Sequence, residues 1–455
     1  MSERYVNIDR DTPMLLPCDL REWVSEDDLV HFVIEAVEGL DLATFRVNAR
    51  GTGSEQYPPR MMLALLIYSY ANGVFSSRRI ERMTYSHVVF RYLCANRHPD
   101  HDTIAKFRRE NFAAVAECFL RVLETAREMK LLKVGTVSVD GTHVAANASK
   151  YKNISHGRAV ELEKRLEQDI AGLLTRAEEA DSSGEEPPDK LPEELGRREH
   201  LRAKIKAARE ELERRAREKA AAERAEYEAK VARREARTEH KGRFIKPPSD
   251  QPGPGDQANM TDPDSRLMRK AAGSPCTQSY NAQITVDADG SCLILSGHVC
   301  QNSNDTGELE RGVRGVPASV GHPKRALADN GYMNGDQIKS LASDGHDIYV
   351  APKAGDMARN LKYDFRPESK RKANKKPGRQ YVQAWLVAMA KKVSSEAGRE
   401  IYAARKCTVE PVFGIIKEAM GFRRFSLRGL EKVAGEWNLV MLAYNVRRLW
   451  KMAAA

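Results

Sequence analysis

The chain has no cysteine pair spaced C-x-x-C; its seven cysteines, Cys18, Cys94, Cys118, Cys276, Cys292, Cys300 and Cys407, are odd in number and scattered. Neither a disulfide framework nor a cysteine zinc site is supported, and a reducing cytoplasm is the expected compartment. No apolar run reaches the roughly 18 residues that a membrane span needs, and the opening MSERYVNIDRDTPMLLP lacks the charged-then-apolar pattern of a signal peptide. A soluble, intracellular protein with no membrane partner is expected. Acid is the scarcer charge: 64 Asp and Glu stand against 74 Lys and Arg, a formal net charge of +10. That balance suits a polyanionic partner such as nucleic acid, and a solvated basic surface accounts for it equally well. A length of 455 residues predicts two or three folded units.

From about Asp19 to Leu132 the apolar residues recur with helical spacing, in LVHFVIEAV, PPRMMLALLIYSYANGV and TIAKFRRENFAAVAECFLRVLETA. Pro58 and Pro59 suit the start of the second helix and Asp102 the N-cap of the third. A helical N-terminal domain over residues 1–132 is predicted. Its clusters FSSRRIERM (Phe75 to Met83) and KFRRE (Lys106 to Glu110) read as DNA-docking helices or as surface salt bridging.

Residues 157–250 differ in composition. Leu162, Leu166, Ile170 and Leu173 recur at three and four residues, as do Leu201, Ile205 and Leu212 beyond the breaker DSSGEEPPDKLP, with charges of both signs around them. A charged helical hairpin or coiled coil is expected, either a solvated helix pair or a device for dimerisation or DNA clamping. FIKPPSDQPGPGDQ then reads as a linker.

Strand patterns flank that insertion. In TVSVDGTHVAANAS, from Thr136 to Ser149, Val137 and Val139 point to one face and Ser138 and Asp140 to the other. Downstream, SYNAQITVD and SCLILSGHVC flank a turn as a hairpin, KRALADN is a short strand ending at Asp329, Asn334 caps a helix that Gly345 ends, and HDIYVA is one more strand. The order predicts an α/β fold with a mixed sheet, assembled from residues 133–156 and 251–455, with a long helical insertion after its first strand.

A carboxylate inside a sheet is costly unless it is solvated, hydrogen-bonded or bound to a cation, so Asp140 needs a partner. Asp329, at the carboxyl end of its strand, is a candidate where ligands collect in α/β sheets, or else a turn aspartate. In RKCTVEPVFGIIKEAMGF, Thr408 reads as an N-cap with Pro411 in the first turn, which places Glu410 near the positive end of a helix. Glu410, Gly414 and Lys417 then share one face, a combination suited to phosphate and metal. Three carboxylates can hold two divalent ions about 3.5–4 Å apart for phosphodiester chemistry, and an all-oxygen set selects Mg²⁺ or Mn²⁺.

VDGTHVAANAS, LADNGY and VEPVFGIIKEAMGFRRFSLRGLEKV, with the closing LVMLAYNVRRLW, resemble the DDE transposases of bacterial insertion sequences, most closely the insertion sequence 1182 type. PPRMMLALLIYSYANGVFSSRRIE and HPDHDTIAKFRREN resemble the helical domain that precedes the core in that group. The resemblance covers most of the chain except the charged insertion. It implies a ribonuclease-H-like core with Asp140, Asp329 and Glu410 as the catalytic, metal-holding triad. It also implies cleavage and strand transfer at terminal inverted repeats, with Mg²⁺ or Mn²⁺ as two bound ions. A Tyr-x2-Arg-x3-Glu-x6-Lys signature of related transposases is matched by Tyr402, Arg405, Glu410 and Lys417, except that four residues separate Arg405 from Glu410; Lys406 satisfies the three-residue spacing.

Tyr402, Arg405, Lys417, Arg423, Arg424 and Arg428 are the expected DNA contacts, and Arg371, Lys372, Lys375, Lys376 and Arg379 suit backbone contact from a loop. Asp305 in NSNDTGELE reads as an N-cap in preference to a ligand. Asp287 and Asp289 flank the hairpin turn, and His98 and His101 read as turn residues. The expected partners are double-stranded DNA, as repeat ends and target, and further copies of the chain, as a homodimer or higher; the expected location is cytoplasmic, on the nucleoid when bound. A stand-alone nuclease, a catalytically inactive DNA-binding repressor derived from a transposase and a coiled-coil scaffold are the alternatives.

Overall fold

A computed structural model describes residues 19–46, 56–183, 191–235, 246–269, 273–352, 357–358, 380–381 and 383–454. The basic loop holding Arg371, Lys372, Lys375, Lys376 and Arg379 lies outside the described residues.

Six helices come first: α1 (Leu29–Glu38), α2 (Pro59–Ala71), α3 (Ser77–Ser86), α4 (Val88–Leu93), α5 (His101–Glu110) and α6 (Phe112–Glu128). Proline opens α2 as expected, since its missing N–H is one the first turn leaves unpaired in any case. Every residue of α2 from Met62 to Ala71 is buried, so this helix is apolar all round and sits at the centre of its neighbours. Asp100, not Asp102, caps α5: its carboxylate accepts from the N–H groups of Asp102 and Thr103, and Asp102 occupies the first turn. Both positions hold an aspartate before the same apolar run, so spacing alone does not separate them.

The sheet begins with β1 (Thr136–Ala145), followed by a short β2 (Asn153–Ser155). The insertion is a hairpin of α7 (His156–Ser183) and α8 (Leu191–Glu235). Leu166, Ile170 and Leu173 of α7 and Ile205 and Leu212 of α8 are buried, whereas Leu201 is 42% exposed. Ion pairs cross the seam from Arg198 to Asp169 at 2.7 Å, from Arg202 to Glu167 at 2.6 Å and from Arg209 to Glu163 at 3.0 Å.

After β3 (Gln257–Asn259), which pairs with β2, come β4 (Arg266–Met268), β5 (Thr277–Asp287), β6 (Ile294–Cys300), α9 (Leu309–Arg314), β7 (Arg325–Ala328), α10 (Gly335–Ser343) and β8 (Asp347–Val350). The main sheet runs β4-β5-β1-β7-β8, with β6 also paired to β5. β5 and β6 are antiparallel to their neighbours, while β1, β7 and β8 are mutually parallel. This is the mixed sheet of a ribonuclease-H-like core, with the long insertion placed after its first strand. Asn334 caps α10 through its side chain, and Gly345 follows that helix at φ +89°, a left-handed conformation that glycine adopts without strain.

Beyond β9 (Met357–Ala358) and β10 (Gln380–Tyr381), the chain ends in α11 (Ala384–Ser394), α12 (Glu396–Gly414) and α13 (Leu430–Ala453). α13 packs on α2, α6 and β6, so one continuous apolar core runs from Val30 in α1 to Val446 in α13. Asn445, fully buried, accepts from Ile294 N–H at 2.9 Å and donates to Ile294 C=O at 2.8 Å. Those bonds satisfy the strand beside the bulge between Thr285 and Val286, where pairing of β5 with β6 shifts register. Among the described residues no helix is long and apolar enough to cross a membrane.

Candidate active site

Asp140 and Asp329 are brought together by the sheet. The parallel ladder pairs Val139 with Ala328, so the next residue of each strand is an aspartate. β7 stops at Ala328, and the carboxylate of Asp329 turns to accept the N–H of Gly331 at 2.7 Å, capping a one-turn 3-10 helix over Asn330–Tyr332. The turn role and the site role of Asp329 are therefore filled by the same side chain. Asp140 accepts the N–H of Gly141 at 2.8 Å and is 19% exposed. Burial pushes its carboxyl up to about 7; the charges of Asp329 and Asp305 add to that, and the Gly141 N–H and Arg405 oppose it.

Glu410 arrives from α12, by a route the sequence misreads. Thr408 is not an N-cap: α12 starts at Ser395, whose hydroxyl accepts from Gly398 N–H, and Thr408 and Pro411 both lie inside the helix. The Thr408 hydroxyl donates back to the carbonyl of Ala404 at 2.9 Å. Threonine favours N-caps, but inside a helix its hydroxyl can bond back to the carbonyl four residues earlier, so Thr-x-x-Pro occurs in either setting. Glu410 is thus close to the carboxyl end of α12, and the positive end of a helix has no part in placing it. A π-helical turn, Ile415–Ala419, follows directly and widens the helix where Lys417 emerges.

Arg405 ties these acids together. Its Nη1 lies 3.6 Å from Oδ2 of Asp140, and its Nη2 lies 3.0 Å from Oε1 of Glu410. Lys406 is exposed, so the four-residue spacing is the one that reaches the site. Tyr402, one turn earlier, donates its hydroxyl to Ala328 C=O at 3.1 Å and so clamps α12 to the end of β7. Lys417 donates to the hydroxyl of Thr142, two residues beyond Asp140 on the same strand face. Tyr402 therefore meets the end of β7, Arg405 and Lys417 meet β1, and Glu410 joins them through Arg405.

Arg423, Arg424 and Arg428 are exposed on the turn between the π-helical segment and α13. The turn's backbone is fixed: Phe425 N–H donates to Ala145 C=O at 2.9 Å, and Ala145 N–H donates to Arg423 C=O at 3.2 Å, which continues β1. The buried carboxylate of Glu436 accepts from Ser426 N–H at 2.9 Å, from Leu427 N–H at 3.1 Å and from the Tyr70 hydroxyl of α2 at 3.3 Å. Arg423 also pairs with Glu418, and Arg428 Nε donates to Asn147 C=O at 2.9 Å.

Other expectations resolve locally. Arg108 of KFRRE is 5% exposed and donates to the Tyr70 hydroxyl and Phe75 C=O, so it serves the core, while Arg78, Arg79 and Arg82 of the other basic cluster face solvent. His98 stacks on Tyr85, and His101 pairs with Glu81 at 2.8 Å. Asp287 accepts from Ser291, and Asp289 accepts from the N–H groups of Gly135 and Thr136. Asp305 is not an N-cap: α9 has no side-chain cap, and the Asp305 carboxylate instead faces Asn281 and Gln283 beside the two site aspartates. Its sequence signal, the alternating amides of SYNAQ, is visible only once β5 is known to run beside it.

Among the described residues no group of three or more His, Cys, Asp or Glu side chains is drawn close enough to hold a metal ion. The donors that converge are oxygens, and the cation between Asp140 and Glu410 is the Arg405 guanidinium.

No curated protein and no solved structure matches the chain. Two family models do: a transposase domain over residues 18–110 and a transposase DDE domain over residues 257–446. The second contains Asp329 and Glu410, and β1 with Asp140 precedes it but lies between its strands β5 and β7 in the sheet. With its N-terminal helices matched by the one model and most of its ribonuclease-H-like core by the other, the chain belongs to the DDE transposases.

Proposed function

We propose that this transposase binds the terminal inverted repeats of its own insertion sequence and catalyses metal-dependent cleavage and strand transfer, with Asp140, Asp329 and Glu410 as the catalytic carboxylates. The observation that carries the reading is the guanidinium of Arg405 held between Asp140 and Glu410. These two acids, from different elements, already share a cation, and an all-oxygen donor set is the chemistry of Mg²⁺ or Mn²⁺. Asp140, Asp329 and Glu410 would hold the ions, two by the proposal. When bound, divalent ions activate a water or 3′-hydroxyl and stabilise the leaving oxygen in phosphodiester transfer.

The chain's own residues supply orientation and charge. Tyr402 holds α12 against the end of β7, so the position of Glu410 follows that of Asp329. Lys417, beside Thr142, offers a cation to a phosphate lying along β1. Arg423, Arg424 and Arg428 project from a turn whose backbone is bonded on both sides, so they meet the DNA backbone at fixed spacing. Dimerisation on paired DNA ends belongs to the same proposal, as does a division of labour in which residues 1–132 contribute to DNA binding, 133–156 and 251–455 form the catalytic core and 157–250 insert into it.

Incubation of the purified protein with labelled DNA carrying the sequences that flank its gene, in Mg²⁺ or Mn²⁺, tests this directly. Metal-dependent cuts at the repeat ends and joined products are expected, with Asp140→Asn, Asp329→Asn and Glu410→Gln binding DNA but not cutting. Cutting without joining would reduce the protein to a nuclease. Binding without cutting in either metal would leave it a repressor.

A further inference from the structure

Pairing of β7 with β1 ends at Ala328 opposite Val139, so no ladder bond holds the turn that starts at Asp329. That turn is held from elsewhere. Tyr332, its last residue, is fully buried and donates its hydroxyl to Oε1 of Gln283 on β5. Nε2 of Gln283 donates to Oδ1 of Asp305 at 2.6 Å, and Nδ2 of Asn281 donates to the same oxygen at 2.8 Å. Both amides are 1% exposed, so in the absence of Asp305 they would be left without that acceptor in a water-poor site. Next to Asp305, the Thr306 hydroxyl donates to Gly331 C=O at 3.2 Å, inside the turn itself.

The route passes over a glycine. Gly141 stands opposite Gln283 in the β1–β5 ladder, and a Cβ there would lie 2.0 Å from Nε2 of Gln283 and 2.7 Å from Oδ1 of Asp305. The missing side chain beside Asp140 is what lets Gln283 reach Asp305. On the far side, a Cβ on Gly331 would lie 2.8 Å from Oδ1 of Asp329 and 3.4 Å from Oδ2 of Asp305, which puts the second oxygen of Asp305 at the turn.

We propose that Asp305 is a positioning residue for the phosphodiester chemistry: its carboxylate, acting through Gln283 and Tyr332, fixes the turn that carries Asp329 beside Asp140. The proposal rests on the assignment of Asp140, Asp329 and Glu410 given above. Asp305 is given no reacting atom. Its role is to hold one metal-binding carboxylate in place, as residues behind a ligand set do elsewhere.

The test uses the full-length protein and the variants Asp305→Ala, Asp305→Asn and Tyr332→Phe. Mn²⁺ binding is measured by calorimetry without DNA, the Mn²⁺ concentration for half-maximal cleavage is measured with saturating DNA, and melting temperature and DNA affinity are controls. Asp305→Ala and Tyr332→Phe are expected to bind Mn²⁺ roughly 10–100-fold more weakly, with half-saturation for cleavage rising in step and DNA affinity unchanged. Asp305→Asn retains an acceptor oxygen for the two amides and should recover most of the affinity. If Asp305→Ala fails to fold, Tyr332→Phe, which removes a single hydroxyl, decides. Wild-type Mn²⁺ binding and half-saturation in Asp305→Ala, or in Tyr332→Phe, overturn the positioning role while leaving the triad standing. A wild-type protein that neither binds Mn²⁺ nor cuts overturns the triad assignment and this role with it.

Discussion

The guanidinium of Arg405, on α12, reaches Oδ2 of Asp140, on β1, at 3.6 Å, and its other terminal nitrogen is 3.0 Å from Glu410. One planar cation therefore spans acids contributed by two different elements. Arg405→Ala is expected to reduce cleavage by roughly 10²-fold, the usual effect when a fixed electrostatic group is removed from a reacting centre. Arg405→Lys should not restore it, because a single ammonium lacks the fork that addresses two carboxylates. Lys406→Ala should cut as wild type does. Single-turnover cleavage by the three variants checks the assignment, and equal reductions at 405 and 406 would refute it.

Asp140 makes stability depend on pH. Its carboxyl is raised from 3.8 to about 7, first by burial, an ionisation cost on the order of 4 kcal/mol. The folded chain holds the proton more tightly than the unfolded chain, so the cost is absent below about pH 4, grows as pH rises and is complete above about pH 7. In chelator, Asp140→Asn should melt above wild type at pH 8, with the difference closing towards pH 4. Mg²⁺ should raise the melting temperature of the wild type and leave the variant unmoved, since binding to the folded state alone stabilises it. A pH-independent difference in melting scans would count against a buried, ionising Asp140.

Arg423, Arg424 and Arg428 stand exposed on a turn anchored through Ala145 and Glu436. Replacing any one by alanine should weaken binding to all DNA sequences alike and reduce the salt slope by about 0.9 for each phosphate that is no longer neutralised. Binding titrations over a range of salt concentrations measure this. A changed sequence preference with an unchanged slope would mean that these residues read bases and do not grip the backbone.

Gly435 of α13 faces Phe112 of α6, where an added Cβ would lie 2.3 Å from the ring. Gly435→Ala should destabilise the protein by about 1–3 kcal/mol through overpacking, with no change in metal affinity per folded molecule. Denaturant unfolding would reveal it. A neutral result would mean that the seam between the helical region and α13 can relax.

Much of the core was legible because periodicity and turn chemistry are local. The alternation in TVSVD, the hairpin of SYNAQITVD with SCLILSGHVC and the Asn334 cap all depend on residues within a few positions of one another. Asp140 stands out as an acid inside an alternating strand and Asp329 as one at a strand end, where an unpartnered carboxylate is costly; Glu410, on α12, is named through its spacing to Lys417 and the family resemblance. The start of α12 was misread because Thr408 and Pro411 are ambiguous when only their neighbours are known. Asp305 resembles a cap for the same reason, since its true partners, Asn281 and Gln283, lie on a distant strand.

By itself, the order of residues determined most of the strands and the helical character of the first 132 residues, the all-oxygen character of the candidate ligands, and the spacing that lets Arg405 or Lys406 belong to the site. Only the tertiary structure decided between them. It places β5 against β1, so that Gln283 crosses Gly141 to Asp305, and lays α12 across the ends of β1 and β7, so that Arg405 and not Lys406 faces Asp140. Those relations depend on which surfaces bury one another, and burial between distant segments leaves no local pattern in the chain.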